Sequence, residues 1–356
     1  MGPQSGLLLR LHLGLSSEVQ GREFALQRMS LPAFKLLRPR TIEEAVDHLS
    51  RRAGEIQIIA GGTDLLPSMK QRLFTPKYLL DIRRIEELHG IRSIPGHGTE
   101  IGALVTLTAL EDSEFIRRSY PVLHEAVATI ASPILRNMGT IGGNICLDTR
   151  CLWYNQSLTW RKSCGFCIKK DGDLCHVAPG GKICWAVFSA DSPAALLCLD
   201  AELEIANSSG FRRVPLADFY TNIGDARMKL AQNEVLTRVF LPDRMAGYRG
   251  AYQKLRLRGS IDYPLAGVAV SLKTTSRGFV DDARVAITAV NPSPILVHEA
   301  RHALVGKPFS EHAAGVVGEL AARVAKPLTT SILTPEYRKE MIRVYAKRAV
   351  IKASRA

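Results

Sequence analysis

Two glycine-bearing stretches decide how this chain is read: Ile58-Ile59-Ala60-Gly61-Gly62-Thr63-Asp64-Leu65 and Gly139-Thr140-Ile141-Gly142-Gly143-Asn144. The first begins as a short apolar strand over Ile56–Ile59 and breaks into a turn. Glycines there remove the Cβ atoms that would keep a phosphate away from backbone N–H groups. Thr63, Thr140 and Asn144 add side-chain hydrogen-bonding groups. Neither stretch is G-x-G-x-x-G or G-x-x-x-x-G-K-[ST], so the usual dinucleotide and P-loop fingerprints are absent. One such turn is compatible with a simple bend. Two in one domain leave a bend and a pyrophosphate clasp as the competing readings.

Working outward, Thr41 and Glu44 form a capping box ahead of Ile42, Ala45, Val46 and Leu49, which repeat at helical spacing. A strand at Tyr78–Ile82 completes a small βαβ-like unit. Further on, the pattern predicts a strand at Glu100–Thr106, a helix capped by Thr108 and Glu111, and a helix at Pro121–Ala131. Strands at Glu202–Ala206 and Val235–Leu241 follow. The last third predicts strands at Ala251–Leu257, Ala266–Leu272 and Ala283–Val290, then helices near Val297–Leu304, Glu311–Val324 and Pro335–Ala353. A sheet layered with helices is an α+β arrangement. The expected organisation is a tail over residues 1–30, a domain over 31–244 with subdomains 31–88 and 89–244, and a C-terminal α+β domain over 245–356. Met29 reads as an alternative start.

The 356 residues are 46% hydrophobic and 23% charged, with a formal charge of +13. No apolar run reaches the ~18 residues of a spanning helix, and the Leu-rich start, broken by Arg10 and His12 and without a clean small-residue cleavage site, is not expected to be a secretory signal. The expected location is the cytoplasm, without membrane attachment. The basic residues are dispersed and carry no aromatic interleaving, so nucleic acid is not an expected partner. An acidic protein surface suits the excess better.

All seven cysteines fall between Cys146 and Cys198, and all three tryptophans, Trp153, Trp160 and Trp185, share that window. A disulfide framework is normally even in number and spread through a small secreted domain. Structural zinc favours two close pairs; here only Cys164-Gly-Phe-Cys167 is close. Single cysteines scattered through a loop suit iron–sulfur ligation, with zinc and unligated buried thiols as the alternatives. Cys198, in the apolar run Pro193–Leu199, reads as a core residue.

The two glycine stretches resemble the paired FAD-binding signatures of the medium, flavoprotein subunits of the molybdenum hydroxylases, the xanthine and carbon monoxide dehydrogenase group. The resemblance runs from about Leu31 to the C-terminus. It implies a p-cresol methylhydroxylase-type FAD-binding domain of two α/β subdomains, followed by a C-terminal α+β domain. It places Thr106, Asp191 and Lys254 near the flavin or its phosphates, and no catalytic residue on this chain. The runs Asn144–Cys151 and Trp153–Ser157 are similar to one branch, the β subunits of 4-hydroxybenzoyl-CoA reductases. In that branch a loop, here about residues 145–187, is inserted in the FAD domain and carries a 4Fe–4S cluster. Carried over, the ligands are Cys151, Cys167, Cys175 and Cys184, with Cys164 extra. The implied partners are a large molybdenum-cofactor subunit, a small 2Fe–2S subunit and a ferredoxin-like donor, in a dimer of heterotrimers. The implied role is to relay electrons for reductive dehydroxylation to benzoyl-CoA. A medium subunit of another molybdenum hydroxylase with an added cluster is the alternative.

Overall fold

The computed structural model describes residues 30–355; the expected tail therefore lies, apart from Ser30, outside the described residues. Three sheets organise the chain. The first is parallel, in the order β1 (Lys35–Leu37), β3 (Tyr78–Asp81), β2 (Ile56–Ile59). The helix Ile42–Arg51 connects β1 to β2 and begins where expected. Thr41 accepts the Glu44 N–H, and the Glu44 carboxylate accepts the Arg40 N–H. Its buried Ile42, Ala45, Val46 and Leu49 pack with Leu80 and Ile85 into a small core.

The second sheet is antiparallel, in the order β4 (Ile91–Ile94), β5 (Gly98–Gly102), β8 (Val235–Leu241), β6 (Glu202–Asn207), β7 (Gly210–Pro215). The chain leaves this sheet after β5 and returns at β6. Between them lie a group of short helices and the whole cysteine segment. The strand expected at Glu100–Thr106 ends at Gly102. Gly102 fits its place because a Cβ there would meet the Leu88 carbonyl oxygen at 2.3 Å. The helix expected to start at Thr108 is instead capped by Thr106, whose hydroxyl accepts the Ala109 N–H. β1, of three residues, and β4 and β7, each interrupted by Arg, are too short or irregular for the pattern to have revealed them.

The C-terminal unit is a four-stranded antiparallel sheet, β12 (Ile295–Leu296), β11 (Val280–Thr288), β10 (Ala266–Thr274), β9 (Arg249–Leu255), covered by Glu311–Val324 and Pro335–Arg355. Its own core gathers Val268, Val270, Val285, Ile287, Val317 and Ile342. Tyr252, Ala269 and Ala286 face the other way and join the large core under the second sheet. The chain is thus a mixed α/β fold with its layers packed together.

The cysteine segment runs between the short helices Ile141–Ile145 and Ser192–Cys198 and contains one helix, Leu158–Ser163. Reciprocal backbone bonds tie its ends at Arg150 and Val187 (2.7 and 2.8 Å), and Leu152 N–H reaches the Thr330 carbonyl at 3.0 Å. Among the described residues no helix is long and apolar enough to cross a membrane.

Candidate functional site

A cleft of about 710 Å³ opens between the first two sheets and is lined by both glycine stretches. From the first, Ile58, Ile59, Ala60, Gly61, Gly62, Thr63, Asp64 and Leu65 all face it; from the second, Gly139, Thr140, Gly142, Gly143 and Asn144 do. Ile141 does not: it points into the core. The two turns meet only because they are glycine. A Cβ on Gly61 would lie 1.8 Å from the Met138 carbonyl oxygen, and one on Gly142 would lie 2.8 Å from that of Ala103. Gly62 adopts φ +72°, in the left-handed region where glycine carries no steric cost. Thr140 caps the helix that follows it by accepting the Gly143 N–H at 3.1 Å. Asn144 accepts from Ser192 N–H (3.2 Å) and Ser192 Oγ (2.6 Å), which fixes the helix carrying Cys198 against the second turn.

Asp191 lines the cleft at the N-cap position of that helix, but its carboxylate makes no cap bond. Oδ1 accepts from the Tyr252 hydroxyl (2.7 Å) and Oδ2 from Lys254 Nζ (3.0 Å). Both charged side chains are almost fully buried, at 3% and 2% exposed. Burial beside this carboxylate pushes the Tyr252 hydroxyl pKa well up. Lys254 thus stands behind Asp191 and off the cleft wall, donating also to the Thr129 carbonyl at 2.9 Å. Thr106 is likewise off the wall, spent on its helix cap.

Several cleft residues were not marked as site residues by the sequence. Arg150 pairs with Asp64, donates to the Tyr263 hydroxyl at 2.7 Å and lies 4.3 Å from that ring's centroid. Tyr263 in turn donates to Asp64 at 2.9 Å. Asp148 and Arg227 line the wall near the cysteine segment, 3.3 Å apart. Glu234, paired with Arg212, is held down at about 2, far below an ordinary carboxylate. Only a fold that brings distant segments together makes these residues neighbours.

A second, small cavity lies within the cysteine segment. Cys151, Cys167, Cys175 and Cys184 all line it, with Tyr154, Lys169 and His176. Cys164 does not. Cys146 lines the cleft instead, and Cys198 is fully buried in the large core, donating to the Ala269 carbonyl at 3.4 Å. Burial raises the thiol of Cys151 to about 11 and that of Cys184 to about 12, so a bound metal would have to displace their protons. Close backbone approach is again made by glycines: a Cβ on Gly224 would meet Cys184 Sγ at 2.8 Å. Trp153 lines the cavity, stacks on His176 at 4.3 Å and packs against Trp160 at 5.6 Å. Trp185 is not part of the wall. Among the described residues no three His, Cys, Asp or Glu side chains stand close enough to share one metal ion.

The cleft suits a dinucleotide: two backbone turns without Cβ atoms face a large, mostly apolar space. The family comparison agrees. Residues 32–244 match the FAD binding domain in molybdopterin dehydrogenase, and residues 250–353 match the CO dehydrogenase flavoprotein C-terminal domain. The chain belongs to the FAD-binding medium subunits of the molybdenum hydroxylases. It is 33% identical over 321 residues to the carbon monoxide dehydrogenase medium chain of Afipia carboxidovorans, covering 90% of this chain and 96% of that one. It is 33% identical over 279 residues to the aldehyde oxidoreductase FAD-binding subunit of Escherichia coli K12, covering 76% and 85%. Among solved structures, reconstituted CO dehydrogenase from Oligotropha carboxidovorans superposes with a TM-score of 0.77 at 31% identity, over 92% of this chain and 99% of that one. Quinoline 2-oxidoreductase from Pseudomonas putida 86 gives 0.74 at 26% identity, over 92% and 99%. This medium subunit is therefore an oxidoreductase component and a flavoprotein.

Proposed function

We propose that this medium subunit is the FAD-bearing electron carrier of a molybdenum hydroxylase complex, and that its cysteine segment holds a 4Fe–4S cluster in addition. The flavin reading rests on the cleft that both glycine stretches line. Gly61, Gly62, Gly142 and Gly143 would hold the pyrophosphate by close backbone approach, with Thr63 and Thr140 beside them. Asp191, kept in place by Tyr252 and Lys254, would present its carboxylate to the cofactor. A flavin accepts electrons in pairs and releases them singly, which matches it to one-electron clusters.

The cluster reading rests on four thiols lining one cavity. A single zinc ion needs all its sulfurs at ~2.3 Å, and no such grouping exists among the described residues. A four-iron cluster instead gives each cysteine its own iron and tolerates wider spacing. Some relatives' names mention FAD and none mentions a cluster, so this part of the proposal stands on the cysteines. The partners proposed are a large subunit carrying the molybdenum cofactor and a small 2Fe–2S subunit.

The comparisons favour the broad reading, a medium subunit in the manner of carbon monoxide or aldehyde-oxidising enzymes. The narrower one, a 4-hydroxybenzoyl-CoA reductase fed by a ferredoxin-like donor in a dimer of heterotrimers, is favoured by the cysteine segment alone. The +13 charge suits an acidic donor. The proposed place of work is the cytoplasm.

The deciding experiment is anaerobic purification of the complex, with flavin and iron content, a visible spectrum, and activity with heterocycles, aldehydes and 4-hydroxybenzoyl-CoA. Flavin with more iron than the 2Fe–2S subunit accounts for supports the cluster; zinc in its place removes it. Electrons delivered to the CoA ester select the reductase, and oxidation of an aldehyde or heterocycle selects the broader class.

A further inference from the structure

The flavin cleft and the four-cysteine cavity share a charged wall. Lys169 lines the cavity with its side chain only 5% exposed. Its ammonium donates three hydrogen bonds, to Asp148 Oδ1 (2.9 Å), Thr149 Oγ1 (2.7 Å) and the Gly224 carbonyl (2.9 Å). All three protons are thereby used and the charge is fixed in place. On the far side, Asp148 lines the flavin cleft and also meets Arg227 at 3.3 Å. On the near side, Gly224 donates its N–H to the Cys184 carbonyl at 2.8 Å and lies against Cys184 Sγ. Tyr154, over whose ring Lys169 sits at 4.7 Å, lines the cavity too.

We propose that Lys169 and Asp148 form an electrostatic bridge between the two compartments, with Lys169 the positioning residue whose fixed charge sets the reduction potential of the cluster. This rests on the cluster reading given above. Two cations and one carboxylate leave the wall with a net charge of +1. In a site shielded from water, an unscreened charge acts strongly on its neighbours and more strongly on the nearer one. Reduction adds one negative charge to a cluster, so a positive charge against its cysteines favours the reduced form. Asp148 opposes this effect and transmits a weaker one to the flavin side.

A purely structural role, in which Lys169 only satisfies the Gly224 carbonyl, makes a different prediction. Lys169→Met keeps the side-chain stem and removes the charge. The test is a potentiometric titration of the anaerobically purified complex, followed by electron paramagnetic resonance, with iron and flavin content measured on the same samples. Lys169→Met is expected to keep both cofactors and to shift the cluster's electron equilibrium about tenfold toward oxidation, about 59 mV for one electron. The flavin should move less. Lys169→Arg should restore the wild-type potential. Asp148→Asn, which leaves the ammonium uncompensated, should move the cluster the opposite way. An unmoved potential in iron-replete Lys169→Met overturns the bridge. Should that variant lose iron or fail to fold, Asp148→Asn decides: a cluster potential that stays or falls overturns it. Wild-type complex with no iron beyond the 2Fe–2S subunit would instead fail the cluster reading, and the bridge with it.

Discussion

Gly61 and Met138 touch backbone to backbone: a methyl group on Gly61 would lie 1.8 Å from the Met138 carbonyl oxygen. The two glycine stretches therefore form one continuous floor for the cleft. Gly61→Ala should force them apart, costing ~1–3 kcal/mol as overpacking does and leaving the protein depleted in flavin. Gly62→Val should also lose flavin, because a β-branched residue is poorly tolerated at φ +72°. Gly259→Ala, with nothing within 4 Å, is the control and should retain it. Flavin absorbance per chain after gel filtration measures the effect; full occupancy in Gly61→Ala would refute the shared floor.

The cysteine cavity predicts an unequal response to single substitutions. Cys151→Ser, Cys167→Ser, Cys175→Ser and Cys184→Ser should each lose iron. Cys164→Ala and Cys198→Ala should keep it, since one lies off the cavity and the other is in the core. Flavin should persist throughout. Iron loss in Cys164→Ala with retention in Cys167→Ala would reverse the ligand assignment.

Lys254 and Asp191 form a buried pair, and removing one partner strands the other. Lys254→Met should destabilise the protein by ~3–5 kcal/mol, the range for a broken buried ion pair. The double variant Lys254→Met with Asp191→Asn should recover part of the loss. Urea midpoints of the three proteins test this, and equal midpoints for Lys254→Met and wild type would contradict the pairing.

Glu234 supplies an acid-sensitive contribution. Its partner Arg212 holds the carboxyl down to about 2 from an ordinary 4.5, so the folded state prefers the charged form. A depressed folded-state pKa adds stability above the unfolded value, and that stability drains away as pH falls from about 4.5 through about 2. Glu234→Gln should flatten the stability profile across that window and leave the neutral-pH slope alone. Chemical denaturation at stepped pH provides the comparison.

Much of this was legible in the sequence because glycine and cysteine are constrained by what they must not have, or must have, as side chains. The turns at Gly61-Gly62 and Gly142-Gly143 read as room for a phosphate; the close approaches that Gly61 and Gly142 make to the Met138 and Ala103 backbones were not part of that reading. The cysteines gave their shared segment by crowding alone. Thr41 and Glu44 gave their helix start correctly, because both halves of a capping box are local. Thr108 and Glu111 matched the same pattern and failed, since Thr106 reaches a free N–H first. Asp191 and Lys254 were legible as a vicinity but not as a pair, because 63 positions separate them. Asp148 and Arg150 stood within the run Asn144–Cys151 without being marked as cleft residues, and Tyr263 gave no signal at all. Charged and aromatic residues are common on surfaces, and only contacts between distant segments, such as Tyr263 with Asp64 and Arg227 with Asp148, place them on the cleft wall.

Arg150 immediately precedes Cys151, yet its guanidinium grips Asp64 at the first turn and Tyr263 from the C-terminal unit. Three parts of the chain are thereby knotted at the edge of the cleft. The stretch that bears the cysteines is moored to the rim of the very cleft whose floor the glycine turns make.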